Sequence, residues 1–202
     1  MSIDFSRYQF SYVVVLPEEY DVLDLSSPEG MKQPRTSPFC IGKYNEVRPL
    51  MYTHEMYADQ QQEGERCIHM GIDIGAPTGT EVFNFYQGTI HCIEDHSQPG
   101  DYGPTLILAH EFDEDVVLYS LFGHLSQESL EGKELGQAIE QGECLGTIGS
   151  ESINGGWPPH LHFQLSWLPP IKGDMPGVVA LKDRLQSLKV FPDPRLVLGP
   201  LY

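Results

Sequence analysis

The chain has 202 residues, enough for one domain with a sizeable core and too few for two complete ones joined by a linker. Its longest apolar runs, at residues 12–16 and 105–109, fall far short of the roughly 20 residues that a membrane-spanning helix needs. Twelve Lys and Arg against 29 Asp and Glu give a net charge of −17, which repels phosphate backbones and anionic lipid and argues against nucleic acid or a membrane as partner.

Sixteen prolines and 20 glycines run through the whole chain and separate short apolar segments of period-two alternation, as expected of an all-β domain. Residues 1–64 read as an N-terminal extension, in which the proline-containing, polar stretch 24–40 forms a loop or extended arm. The start MSIDFSRYQF lacks the basic stretch and apolar run of a secretion signal, so a cytoplasmic chain is expected. Residues 65–166 carry the clearest strands: 88–93 (GTIHCI), 105–110 (TLILAH), 116–122 (VVLYSLF) and 160–166 (HLHFQLS), with EFDED turning the second into the third. Residues 167–202 are a C-terminal extension packed on this domain. There, residues 178–190 predict a helix, because Val179, Leu181, Leu185 and Leu188 recur near helical spacing and Pro192 stops it. Four cysteines (Cys40, Cys67, Cys92, Cys144) without a Cys-x-x-Cys pair point to reduced, partly buried thiols, not to a thiolate zinc site.

Eight histidines carry the chemical question, which is whether any of them are placed as only a site requires. In HLHFQL, His160 and His162 emerge on one face of a strand, roughly 6 to 7 Å apart, while Leu161, Phe163 and Leu165 pack on the other. That separation suits one metal ligand beside one acid/base group. In HMGIDIGAPTGTEV, His69 and Asp73 share a face, although a flat strand would hold them roughly 13 Å apart. Gly71 between them permits the bend that would bring imidazole and carboxylate together. In YSLFGHLS, His124 hangs off the end of a strand beside a loop, near Tyr119. Two His and one carboxylate with an open fourth position make the ligand set of a catalytic zinc, with two further His to spare. Trp157 with Pro158 and Pro159 forms a stiff lip ahead of His160, and Asn154, Gly155 and Gly156 let that loop approach a substrate, so Asn154, Trp157 and Tyr119 are candidate groove residues. His54, His91, His96 and His110 read as structural or surface residues.

Together these segments resemble the lysostaphin-like, LytM-type zinc metallopeptidases, which are peptidoglycan endopeptidases. The matching text runs from about Cys67 to Ser166 and includes HMGIDIGAPTGTEV, GTI, DYGP, GHLS, QGECLGTIGS and GGWPPHLHFQ, in the family's order and approximate spacing. The resemblance implies a mainly β fold, an antiparallel β-sheet sandwich with the site in a groove between loops. It implies that His69, Asp73 and His162 bind zinc (Zn), that His124 and His160 are the catalytic pair, and that the substrate is a peptide or peptidoglycan fragment. Gln164 stands where the family usually has Glu, on the strand face of His160 and His162. The alternative reading is a non-catalytic peptide- or protein-binding module of the same fold, and a third is that residues 1–64 cover the groove.

Overall fold

The computed structural model describes residues 3–52, 57, 66–112 and 116–202. In chain order the elements are β1 (Asp21–Val22), α1 (Pro28–Met31), β2 (Cys40–Gly42), β3 (Arg66–His69), β4 (Ile72–Gly75), β5 (Glu81–Phe83), β6 (Gly88–His96) and β7 (Gly103–Phe112). They continue with β8 (Val116–Gly123), β9 (Ala138–Ile139), β10 (Cys144–Thr147), β11 (His160–Ser166), β12 (Val178–Ala180), α2 (Arg184–Val190) and α3 (Arg195–Leu198). The molecule is mainly β, with an N-terminal extension and a short C-terminal helix, as expected of the lysostaphin-type fold.

One eight-stranded sheet, in the order β1-β2-β4-β11-β8-β7-β6-β9, forms the centre. Every neighbouring pair in it is antiparallel except β1 with β2. Two-stranded pairs cover its faces. On one face the pair β5/β10 brings Val82 and Leu145 onto Ile74, Leu108, Phe122 and Phe163. On the other, β3/β12 brings Ile68 and Val179 onto Ile107 and Leu121. Alternation along β11 sends Leu161, Phe163 and Leu165 into the first core and leaves His162 and Gln164 on the second face, both buried. Removing apolar surface from water on both faces at about 25 cal/mol per Å² is what holds these layers together.

The region expected as a long loop holds a short helix, α1, started by Ser27, whose Oγ accepts the Gly30 N–H at 3.0 Å. The N-terminal segment also supplies β1 and β2 to the edge of the central sheet. The helix expected over residues 178–190 is corrected: Val178–Ala180 pair with His69, Ile68 and Arg66 as strand β12, and the helix occupies only Arg184–Val190. The β-branched Val178 and Val179 favour the strand that β3 templates, and Leu181 and Leu185 point to solvent at 64% and 77% exposure. The four cysteines are free, with Cys40 buried and Cys144 exposed. Among the described residues no helix is long and apolar enough to cross a membrane.

Candidate metal centre

The chain crosses from one sheet to the other between β3 and β4, at Met70–Gly71, and this crossing folds His69 back over Asp73. His69 Nε2 lies 3.1 Å from Asp73 Oδ1. The role expected of Gly71 is refined here. Its lack of a side chain makes room for His162, since a Cβ at position 71 would stand 2.6 Å from the imidazole Cε1 and Nε2. Strand pairing does the rest: β11 runs antiparallel to β4 with His162 opposite Asp73, so Oδ1 also lies 3.0 Å from His162 Nδ1.

Outer partners fix which ring nitrogens face inward. His69 Nδ1–H donates to the Lys43 carbonyl at 3.0 Å, and His162 Nε2–H donates to Gln164 Oε1 at 3.0 Å. The Gln164 amide is itself oriented, because its NH2 donates to the Pro176 carbonyl at 3.4 Å. In these tautomers His69 Nε2 and His162 Nδ1 present lone pairs to each other at 3.1 Å, with a carboxylate oxygen touching both. Burial and the nearby Arg48 push His69 down to about 4, so it is neutral at pH 7 and holds no proton that could relieve the contact. Three acceptors converging in a buried site call for a cation. The three residues form a possible metal-binding group whose ligand atoms all lie within 4.8 Å of one another. The 3.0 to 3.1 Å contacts approach the roughly 3.3 Å that a tetrahedral zinc with about 2.0 Å bonds sets between its ligands.

The other carboxylate oxygen is held by a residue that the sequence reading missed. Arg48, only 1% exposed, donates from Nη1 to Asp73 Oδ2 at 2.7 Å and to Tyr52 Oη at 3.0 Å, and from Nε to Glu46 Oε2 at 2.9 Å. Burial raises the Asp73 carboxyl, but His69 and Arg48 outweigh it and hold the group well below its ordinary value. The only hint in the sequence is the Glu46-x-Arg48 alternation in GKYNEVRP, which places two charges on one side of an extended segment.

His124 follows the end of β8 in the left-handed region, at φ 63°, and turns its ring onto that of His160, with centroids 4.2 Å apart. Both imidazoles are fixed alike: His124 Nδ1–H donates to the Asn154 carbonyl at 3.0 Å, and His160 Nδ1–H to the Pro158 carbonyl at 2.7 Å. Each therefore offers a bare Nε2, and that of His160 lies 3.8 Å from Asp73 Oδ1. Burial lowers both rings below their ordinary range, His124 strongly, so they are neutral bases at pH 7. The five residues named from the sequence thus line one cavity of about 90 Å³, with Arg48, Met51, Tyr52, Tyr57, Tyr102 and Trp157 among its other walls.

Two of the three groove residues are corrected. Tyr119 shares the face of His162 but pairs with Ser166, four residues along β11 from the His162–Gly123 pair, which is roughly 13 Å away. Its ring packs against His91, outside the cavity. Asn154 is fully buried and works from behind, its carbonyl orienting His124 and its Oδ1 accepting the Trp157 N–H at 3.0 Å. Trp157 does wall the cavity, and its Nε1–H donates to the Gly100 carbonyl that also accepts the Tyr57 hydroxyl. Of the histidines set aside, His110 is buried in the first core and His96 bonds the Gly173 carbonyl, while His54 lies outside the described residues.

Among solved structures, a zinc-containing peptidase from Vibrio cholerae is similar at 21% identity and a TM-score of 0.47, over 78% of this chain and 36% of that one. The catalytic domain of a prophage-encoded M23 protein from Enterococcus faecalis matches at 24% identity and a TM-score of 0.46, over 70% of this chain and 93% of that one. The catalytic domain of lysostaphin from Staphylococcus simulans matches at 17% identity and a TM-score of 0.42, over 91% and 94%. This chain therefore spans little more than a third of the Vibrio protein. No curated protein matches. Residues 67–174, just over half of the sequence and containing all four site histidines and Asp73, match Peptidase family M23, and the chain belongs to that family.

Proposed function

We propose that the protein is a zinc-dependent peptidase that hydrolyses amide bonds of small or Gly-rich peptides, peptidoglycan-type fragments included. The observation that carries this reading is the convergence of three acceptors, His69 Nε2, Asp73 Oδ1 and His162 Nδ1, beside two imidazoles whose bare Nε2 atoms face the same cavity. His69, Asp73 and His162 hold the metal, and bound zinc supplies Lewis acidity that activates water and polarises a carbonyl. The rest belongs to the chain. His124 and His160 are neutral bases with fixed tautomers, so the bare Nε2 of either can take the proton released as water adds, and the imidazolium so formed returns that proton to the leaving amine. Gln164 and the Lys43 carbonyl keep the two ligand imidazoles from rotating. A binding module has no use for two further oriented imidazoles beside a ligand set, which favours the enzyme over the alternative.

The test is metal content by elemental analysis together with turnover on glycyl and cross-link peptides, for wild type, His162→Ala and His124→Ala. We expect about one zinc per chain in wild type and in His124→Ala, and none in His162→Ala. Turnover should fall by about 10²-fold to 10⁴-fold in His124→Ala. Equal zinc loss in both variants, or a wild type that takes up no zinc, would sink the reading.

A further inference from the structure

A second cavity, of about 60 Å³, meets the metal-centre cavity at His160. The two share Met51, Asp73, Trp157 and His160, so they are adjoining parts of one groove that meet beside the His160 imidazole. Their chemistry differs. The first contains the whole ligand set and Arg48, Arg66, Asp101 and Asp174, whereas the second shares only Asp73 and His160 of the site and is otherwise walled largely by Leu23, Leu25, Cys40, Pro158 and Pro159. The N-terminal segment builds one of its sides: the Leu23 N–H donates to the Ile41 carbonyl at 2.9 Å, next to the β1/β2 pairing.

One cation lines this apolar chamber, Arg35. Its guanidinium makes no ion pair among the described residues. Asp21, the acid whose carboxyl it helps to lower, already accepts the Thr36 N–H at 2.7 Å, the Thr36 hydroxyl at 2.6 Å and the Ser37 N–H at 3.0 Å. In a chain of net charge −17, an unpaired arginine on the rim of a small apolar pocket is complementary to an anion attached to an apolar group.

We propose that this chamber binds the C-terminal residue of a short peptide, its apolar side chain between Leu23, Leu25 and the two prolines and its free carboxylate on Arg35. This rests on the peptidase reading above. The bond broken is then the last amide of the chain: one water is consumed, its oxygen joins the carbonyl carbon, and a free amino acid leaves with the proton returned to its nitrogen. Arg35 acts as a specificity residue and touches no reacting atom.

The experiment compares zinc-loaded protein on Ala-Ala-Leu as the free acid and as the C-terminal amide, for wild type and Arg35→Gln. A charge-assisted contact predicts a kcat/KM about tenfold higher for the free acid. Arg35→Gln should bring the ratio towards one without moving the thermal midpoint, because Arg35 is exposed. Equal rates on acid and amide in wild type would overturn the chain-end proposal and leave the peptidase standing. Failure of the zinc-loaded protein to hydrolyse either peptide, while still cleaving longer blocked ones, would overturn it too. No hydrolysis of any peptide would remove the peptidase reading and this proposal together.

Discussion

Two buried histidines, His110 on the central sheet and His69 on the β3/β12 pair, carry the same shift and opposite chemistry. His110 and His69 are both desolvated, and burial pushes each down to about 4. Around His110 every valence is answered: Nδ1 bonds the Gln87 carbonyl at 3.1 Å, Nε2 pairs with the Ser120 hydroxyl at 2.7 Å, and the ring lies 4.4 Å from that of Phe85. Around His69 one nitrogen is answered by the Lys43 carbonyl and the other faces two further acceptors. A depressed pKa reports burial in both places. The direction of the second lone pair separates a structural imidazole from a ligand.

The comparison breaks most directly by removing one imidazole from each place. We expect His162→Ala to release zinc completely, whereas His110→Ala keeps one zinc per chain and loses stability only; zinc loss on changing His110 would mean that the two sites are not separable. Next in size is Arg48→Met. It leaves the Asp73 carboxylate without its arginine and Glu46 with only the Lys43 ammonium, and we expect about 3 to 5 kcal/mol of lost stability in urea unfolding of the metal-free protein. A cost under about 1 kcal/mol would show that Arg48 does not hold Asp73 in solution.

The third test uses pH. His110 has a folded pKa below its unfolded value of 6.5, so the unfolded chain binds the proton first as the medium is acidified. Its stabilising contribution is fully present above about pH 6.5 and is lost as pH falls towards 4, an effect of about 3 kcal/mol. Replacing His110 with Gln should flatten that part of the stability profile, measured between pH 7 and pH 4.5. An unchanged slope would place the acid sensitivity elsewhere. Smallest is Gln164→Leu, which removes the acceptor for His162 Nε2–H and should weaken zinc binding about 10-fold to 100-fold in a chelator competition while leaving folding intact.

Much of the site was legible because strand alternation assigns faces. His160 and His162 had to emerge together, and the His69–Asp73 spacing demanded a bend that the β3–β4 crossing provides. Alternation does not say how far along a strand a residue lies, which is why Tyr119 fell on the correct face and outside the cavity. Arg48 was hidden for a different reason. Its main partner, Asp73, lies 25 residues away, across a segment with no regular pattern, so nothing local marks the pair. The helix expected over residues 178–190 failed at its first turn because β3 offered Val178 and Val179 an edge, and such long-range pairing outweighs a short helical periodicity.

The placement of β11 between β4 and β8 bears on how the centre comes apart. β4, which carries Asp73, pairs with His160–Phe163, and β8 pairs from His162 onward, so His162 and Phe163 are flanked on both sides. Neither is on an edge strand that could fray, so backbone amide exchange at His162 and Phe163 should proceed only through opening of the whole sheet. On the zinc reading proposed above, loss of metal from a folded molecule would have to go through side-chain rotation or the cavity mouth. The lifetime of a loaded site would then be set by Gln164, Lys43 and Arg48 holding their partners, with the β ladder beneath them closed throughout.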